Sequence, residues 1–167
     1  PIFLEDFESG PNGWTVGSNN ANQQTAWQLG RPDASTGPST GADRSTRAFT
    51  TNLGNYRDNA DIFLRSPTID LTDRNFTQAT LMMDHYRDAG GLGDLFGIRV
   101  LRARDSSILA HIDPDPSVFD SDWVPLSEDL SPVALGEEII LEFWFTSDAS
   151  GDSFSGWSID NVAIDAR

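Results

Sequence analysis

The stretch Glu138-Ile-Ile-Leu-Glu-Phe-Trp-Phe-Thr146 decides the fold class of this chain, because aliphatic and aromatic residues run through it almost without a break. Residues of this kind favour β-strands, whose successive side chains point to opposite faces of a sheet. The two predicted faces carry Leu141, Phe143 and Phe145 on one side and Ile140, Glu142 and Trp144 on the other. We therefore predict a central strand, in which Glu142 needs a charged partner or contact with water.

The rest of the chain repeats this pattern in short apolar or alternating runs that are separated by Gly, Pro, Asn and Asp. Sustained helical spacing of apolar residues is almost absent. We predict an all-β fold, an antiparallel jelly-roll β-sandwich of about ten strands in two packed sheets. Besides the stretch above, the predicted strands are 2–7, 25–29, 47–51, 60–64, 78–86, 95–102, 107–112, 122–126 and 156–164. The polar segments 12–24 and 31–45 are predicted to be surface loops of the same domain.

Length and composition limit the number of domains and the classes of partner. With 167 residues, of which 38% are hydrophobic, residues 1–167 are expected to form one packed domain. A net charge of -15 would repel nucleic acid, so we expect no nucleic-acid partner. No apolar run approaches the roughly 18 residues of a membrane helix, so we expect no membrane insertion. The absence of cysteine and the first residue Pro1 fit a piece excised from a larger secreted bacterial protein.

Acidic residues near the two ends of the chain predict a metal site. Alternation along the first predicted strand puts Asp6 and Glu8 on one face, roughly 7 Å apart. The alternation of the last strand slips at Asp160 and Asn161, which indicates a β-bulge. If the first and last strands are neighbours, Asp160 can join Glu8 or Asp6, and Asp61 is a further candidate. Carboxylates without His or Cys are ligands that calcium takes, but solvation or pairing with arginine is the alternative for each acid.

The sequence gives little support for an arrangement of catalytic residues. The tripeptide Gly151-Asp-Ser153 is similar to the surroundings of a serine protease nucleophile, but it lies in a polar loop. His85 lies on an apolar strand face, where a buried structural histidine is the expected role, and His111 offers no more. Acidic pairs for glycoside hydrolysis can be built on a jelly roll, but none with neighbouring aromatic residues stands out. We therefore predict that the chain is not an enzyme.

Carbohydrate binding is a stronger alternative than catalysis, because jelly rolls often present aromatic side chains on which sugar rings stack. Most of the five tryptophans are expected in the core, since large aromatics usually fill a sandwich interior. Trp123, in a polar segment, and Tyr56 are the predicted ligand-binding residues. Two exposed coplanar rings would favour a sugar ligand, whereas a flat polar surface with one apolar patch would favour protein contact.

An ordered series of motifs from Asp6 to Val162 resembles the MAM-type jelly roll. The likeness is greatest to cysteine-free bacterial relatives in immune inhibitor A-type metalloproteases, in cleaved-adhesin domains of gingipain-like proteases and in anchored surface proteins. The motifs are Asp6-Phe7-Glu8-Ser9-Gly10, Gly13-Trp14, Trp27, Thr36-Gly-Pro-Ser39, Thr51-Asn-Leu-Gly-Asn-Tyr-Arg-Asp-Asn-Ala-Asp61, Leu64-Arg-Ser-Pro67 and Gly156-Trp-Ser-Ile-Asp-Asn-Val162. The recurrent tryptophans of this pattern, Trp14, Trp27 and Trp157, are expected to be structural.

The resemblance implies a structural calcium (Ca2+) held by Glu8 and Asp160, with Asp6 and Asp61 as companions. Asn161 stands where the relatives have a second Asp, and its amide can still supply an oxygen. The sequence also departs from the relatives at residues 101–107, where they have a Ser-x-Asp-Gly-Gly-x-Trp strand end.

The function that the resemblance implies is that of a non-catalytic, calcium-stabilised accessory or adhesion module. Such a module belongs to a secreted or cell-surface bacterial protein, with a protease as the expected parent. Its expected partners are the parent protease or surface-protein domains and an extracellular protein or glycan. The alternative is a carbohydrate-binding module of a secreted polysaccharide-degrading enzyme.

Overall fold

The computed structural model describes residues 1–22 and 24–167 and confirms the β-sandwich, with two six-stranded antiparallel sheets. A 3-10 turn spans Ala42–Arg44, and one short helix, α1, spans Ser131–Ala134. The strands are β1 (Phe3–Glu5), β2 (Thr15–Ser18), β3 (Trp27–Gly30), β4 (Ala48–Thr51), β5 (Asp61–Arg65), β6 (Ile69–Asp70), β7 (Ala79–Asp88), β8 (Leu95–Arg102), β9 (Ile108–Ile112), β10 (Val124–Asp129), β11 (Glu138–Thr146) and β12 (Gly156–Ala166).

The first and last strands lie in one sheet, and the predicted central strand lies in the other. The first sheet runs β10-β7-β12-β4-β3, and β1 also pairs with β12, so the first and last strands are neighbours as predicted. The second sheet runs β2-β5-β11-β8-β9, with β6 also pairing with β11. β11 therefore lies in the middle of its sheet, and its boundaries are those that the sequence predicted.

The core lies between the sheets and is rich in aromatic side chains. Leu141, Phe143 and Phe145 of β11 are fully buried there, as their alternation predicts. Trp157 reaches the same core from β12 and stacks on Phe96 of β8 with ring centroids 4.7 Å apart. Trp14 and Trp27 are also buried, so the structural role expected for the three recurrent tryptophans is confirmed.

Two departures from the predicted strands occur in the first third of the chain. β1 ends at Glu5, because Phe7 adopts a left-handed conformation with φ 59° that interrupts the alternation. Asp6 and Glu8 therefore do not share a strand face, which corrects the prediction. The predicted loop 12–24 contains β2, a short strand with little apolar signal that forms by pairing with β5; Gln23, in that same loop, lies outside the described residues.

The predicted bulge in the last strand is confirmed. The pairing of β12 with β7 shifts register between Asp160 and Ala163, and Asn161 has φ 50°. The inserted residue lets both Ile159 and Val162 face the core, where each is fully buried. The bulge thus sets the direction of Asp160 relative to the strands beside it.

Candidate calcium site and aromatic face

Asp160 meets the loop formed by residues 41–47, called the 41–47 loop below. Its carboxylate is fully buried. Oδ2 accepts hydrogen bonds from the Ala42 main-chain N–H at 2.8 Å and from Ser45 Oγ at 3.1 Å. Oδ1 accepts the N–H of Asn161 at 2.8 Å. The bulge and the loop therefore hold this carboxylate from two sides.

Glu8 reaches the same loop from the other end of the chain. Its two carboxylate oxygens accept the main-chain N–H groups of Thr46 at 2.7 Å and Arg47 at 2.8 Å. The structure thus brings Glu8 and Asp160 to one loop, although the sequence separates them by most of its length. No signal in the sequence identified the 41–47 loop as their common contact.

The charges of Glu8 and Asp160 are not neutralised by basic side chains. Neither carboxylate forms an ion pair within the part of the chain that the structure describes. Burial raises the pKa of Asp160 to about 6, and the nearby negative charge of Glu8 adds to this effect. The hydrogen bonds from Ala42, Asn161 and Ser45 act in the opposite direction. A cation bound here would lower the free-energy cost of burying the Asp160 charge and would reduce its repulsion with Glu8.

The 41–47 loop is tight and locally strained. Asp43 and Arg44 both have left-handed backbones, with φ 52° and 64°. Strain of this kind costs about 1–3 kcal/mol per residue and is concentrated at ligand clamps and other functional sites. At Gly41, a Cβ would lie 2.8 Å from Asp160 Oδ2 and closer still to Ser45 Oγ and the Arg47 carbonyl oxygen. The loop therefore closes around the carboxylate with no space for a side chain at Gly41.

Glu8 and Asp160 offer carboxylate oxygens to a cation. Each oxygen of Glu8 and Asp160 has a second lone pair, so its hydrogen bond does not prevent coordination. No three acidic or histidine side chains converge on one point among residues 1–22 and 24–167. Calcium takes six to eight oxygens and accepts main-chain carbonyls, hydroxyls and water beside carboxylates. Two carboxylates alone supply fewer oxygens than this, so a calcium ion here would need such companions.

The side chains of the other predicted ligands have partners of their own. Asp6 Oδ1 accepts the N–H of Glu8 within a local turn. The Asn161 side chain donates to Asp84 Oδ2 at 2.9 Å. Asp61 belongs to the second sheet, where its Oδ1 accepts from Asn19 at 3.2 Å. Of the predicted ligands, Glu8 and Asp160 therefore share one loop, whereas Asp61 lies in different surroundings.

The two predicted ligand-binding residues differ in exposure. Tyr56 is fully buried, and its hydroxyl lies 2.5 Å from Asp94 Oδ2. Burial, followed by the hydrogen bond to Asp94, raises the pKa of Tyr56. Its ring cannot face a ligand in this structure, which corrects that prediction. Trp123 is half-buried, packs edge-on against Tyr86 and donates its indole N–H to the Thr40 carbonyl.

The residues weighed for catalysis have other roles. The Ser153 hydroxyl donates to the Tyr56 carbonyl at 2.9 Å in an exposed loop. His85 is buried inside the sandwich, where its Nδ1 accepts the indole N–H of Trp157 at 3.0 Å. Burial, followed by the positive charge of Arg87, lowers the pKa of His85 to about 4. The prediction that His85 is a structural core residue is therefore confirmed.

The outer face of the second sheet carries a group that the sequence did not identify as a site. We call it the aromatic–arginine face, formed by Phe63, Arg65, Arg99, Glu142 and Trp144. Arg65 Nε and Arg99 Nη1 bind the two oxygens of Glu142 at 2.7 and 3.0 Å. The guanidinium carbons lie 4.8 Å from the Phe63 ring centre and 5.0 Å from the Trp144 ring centre, respectively. Glu142 thus has the partners that its position in β11 required.

Comparison with known proteins identifies the fold. No protein-family model and no curated protein matches the chain. Among solved structures, the K1 cleaved adhesin domain of Lys-gingipain from Porphyromonas gingivalis W83 is 18% identical with a TM-score of 0.65, and the match covers 99% of this chain and 98% of that domain.

Two further matches concern carbohydrate-binding modules and a xylanase. A structure of carbohydrate-binding modules from the β-sandwich superfamily is 13% identical with a TM-score of 0.57, covering 96% of this chain and 60% of that one. The CBM22-1–GH10 modules of xylanase 10B from Clostridium thermocellum, complexed with xylohexaose, are 16% identical with a TM-score of 0.53, covering 99% of this chain and 28% of that one. At these identities the likeness shows the fold alone, a β-sandwich like that of the matched domains. Within the described residues, no helix is both long and apolar enough to cross a bilayer.

Proposed function

We propose that this chain is a non-catalytic, calcium-stabilised accessory or adhesion module of a secreted or cell-surface bacterial protein. Its end-to-end match with a cleaved adhesin domain, 99% of one chain against 98% of the other, is the observation that carries the proposal. A protease is the proposed parent, since the matched domain belongs to Lys-gingipain. The relation to MAM-type and immune inhibitor A-type domains belongs to the same proposal and rests on the motifs quoted above.

The proposed calcium is held by Glu8 and Asp160. Support comes from the buried Asp160 carboxylate, which has no basic partner among the described residues and faces the same loop as Glu8. Bound there, the ion supplies positive charge to two carboxylates that otherwise repel each other. Because Glu8 follows β1 and Asp160 lies in β12, binding also ties the two ends of the chain to the 41–47 loop.

The alternative function is that of a carbohydrate-binding module. Two observations support it: the match to carbohydrate-binding modules of the β-sandwich superfamily, and the partly exposed aromatic residues of the aromatic–arginine face. Both functions are forms of accessory binding, and they differ in whether the ligand is a protein or a glycan.

Thermal unfolding in millimolar calcium, in magnesium and in EDTA tests the metal part of the proposal. At fixed ionic strength, we expect calcium alone to raise Tm, because a ligand that binds only the folded state stabilises it by mass action. Asp160→Asn should abolish this rise and weaken calcium binding measured by calorimetry. Asp61→Asn is the matched control and should keep both, since Asp61 lies in the other sheet.

Equal responses to calcium and magnesium, or a calcium response that survives in Asp160→Asn, would contradict the metal assignment.

The binding part of the proposal is tested separately, by retention of the calcium-loaded chain on immobilised extracellular matrix proteins and polysaccharides. Retention on none of them would contradict the accessory function.

A further inference from the structure

We propose that the aromatic–arginine face is a binding site for a neutral polysaccharide chain. The inference rests on the proposed function as an accessory binding module and specifies its ligand class and its site. The site lies on the outer face of the second sheet, away from the Trp123 and Tyr86 pair, which belongs with the first sheet.

Two aromatic residues stand side by side at the centre of this face. Phe63 of β5 is the register partner of Trp144 in β11, and both side chains are partly exposed. Each is flanked by a glycine on its other side, Gly17 of β2 beside Phe63 and Gly97 of β8 beside Trp144. Four neighbouring strands therefore supply one row of two rings between two glycines.

The glycines let both rings lie against the sheet. A Cβ at Gly97 would lie 2.9 Å from the indole nitrogen of Trp144 and 3.0 Å from two ring carbons. A Cβ at Gly17 would overlap the end of the Phe63 ring. Without side chains at these positions, the rings lean over the neighbouring strands, and Arg65 and Arg99 lie over part of them, so the low outer surface combines aromatic and guanidinium groups. A pyranose ring carries C–H groups on its faces, and these pack favourably on such a surface.

The adjacent row supplies polar groups. Glu142 lies between Arg65 and Arg99 and is 6% exposed, and each of its oxygens is bound by one guanidinium. The remaining N–H groups of both guanidiniums have no hydrogen-bond partner in residues 1–22 and 24–167. The arginine side chains are 36% and 30% exposed. These N–H groups are therefore available to the hydroxyl oxygens of a sugar that packs on the exposed parts of the rings.

The same contacts hold the polar groups in place before a ligand binds. Glu142 and the neighbouring ring restrain each guanidinium, which reduces the side-chain entropy lost on binding. A few oriented polar groups beside aromatic surface are typical of small-ligand and sugar sites. A neutral chain is favoured over an acidic one, because the net charge of -15 repels polyanions and Glu142 offsets part of the arginine charge.

The test measures binding of the calcium-loaded chain to xylan, mixed-linkage β-glucan, galactomannan and polygalacturonate, by affinity electrophoresis and then calorimetry. We expect binding to at least one of the neutral polymers. Trp144→Ala and Phe63→Ala should each weaken it at least about tenfold, as expected when a stacking ring is removed. Phe119→Ala is the matched control, because this exposed aromatic residue is bridged to β7 of the first sheet, and the variant should bind like the parent. Circular dichroism and Tm establish that each variant is folded, and Phe63→Ala carries the test alone if Trp144→Ala unfolds.

Three outcomes would overturn this inference. If Trp144→Ala and Phe63→Ala bind a neutral polymer like the parent, the site is wrong while the accessory function stands. Retention on matrix proteins without binding to any polysaccharide would refute the glycan class alone. Binding to polygalacturonate only, lost in salt and unchanged in the aromatic variants, would indicate charge attraction in place of stacking. The proposed function itself fails only if neither proteins nor polysaccharides retain the chain.

Discussion

A buried carboxylate without a basic partner is costly, and two of the buried acids of this protein, Glu142 and Asp160, are stabilised in different ways. Glu142 is neutralised by Arg65 and Arg99. Asp160 instead accepts hydrogen bonds from two main-chain N–H groups and one hydroxyl, and no basic side chain among residues 1–22 and 24–167 pairs with it. This difference, together with the approach of Glu8 to the loop that holds Asp160, is why we assign a cation to Asp160 and a ligand-binding role to the surroundings of Glu142.

His85 gives a residue-scale prediction for acid stability. Its pKa is about 4 in the folded chain against 6.5 as the reference value. At pH values between these two pKa values, His85 is protonated in the unfolded chain but neutral in the folded chain. Stability is therefore complete above pH 6.5 and falls as the pH drops towards 4, by about 3 kcal/mol in total.

The measurement is urea unfolding from pH 7 to pH 4, compared with His85→Asn. Asparagine Oδ1 can accept the Trp157 indole N–H in place of Nδ1 but does not titrate near neutral pH. The variant should lose less stability than the parent over this range. Asp160 has a raised pKa in the folded chain, so its protonation makes the folded chain more stable as the pH falls. This contribution is the same in the parent and in the variant, so it cancels in the comparison. Parallel pH profiles would contradict the assignment.

At the scale of elements, the bulge in β12 and the 41–47 loop act as a pair. The register shift between Asp160 and Ala163 re-aims one side chain, and the loop supplies its hydrogen bonds. Gly41 is the point of closest approach between them. Its φ of -66° is open to any residue, so the requirement for glycine here comes from crowding and not from backbone conformation.

Gly41→Ala should therefore lower both Tm and calcium affinity. The added Cβ meets Ser45 Oγ, the Arg47 carbonyl and Asp160 Oδ2, so the loop must move, at a cost of about 1–3 kcal/mol. Gly54→Ala is the matched control, because a Cβ there meets nothing within 4 Å. Calorimetry and thermal unfolding check both variants. A Gly41→Ala protein that keeps the calcium affinity of the parent would separate the loop from the metal.

At the scale of the whole molecule, the two sheets carry different proposed roles. The first sheet contains the first and last strands and Asp160, with Glu8 in the loop after β1, whereas the second presents the aromatic–arginine face. Both sheets share one hydrophobic core, so the fold must hold as a unit. The proposed ion nevertheless acts directly on the first sheet and its loop.

Hydrogen exchange should show this division. Calcium is expected to slow amide exchange in the 41–47 loop and in peptides that contain β1 and β12, relative to EDTA. Peptides from β11 should change least, because β11 lies at the centre of the other sheet. Mass spectrometry of both states measures the difference. A uniform slowing in all peptides would point to general screening of the net charge instead of a local site.

The sequence by itself determined those features that depend on neighbours along the chain. The faces of β11, the bulge at Asp160 and the burial of His85 all follow from alternation, because side-chain direction along a strand is a local property. The same rule misplaced Asp6 and Glu8, since one left-handed residue, Phe7, ends the alternation.

Only the tertiary structure decided which distant residues meet. The joining of Glu8 with Asp160 through the 41–47 loop, the burial of Tyr56 and the pairing of Phe63 with Trp144 depend on strand order and register. Order and register are set by the packing of the whole sandwich, so no local pattern contains them. The sequence thus determined the fold class, and the tertiary structure decided which distant side chains come together.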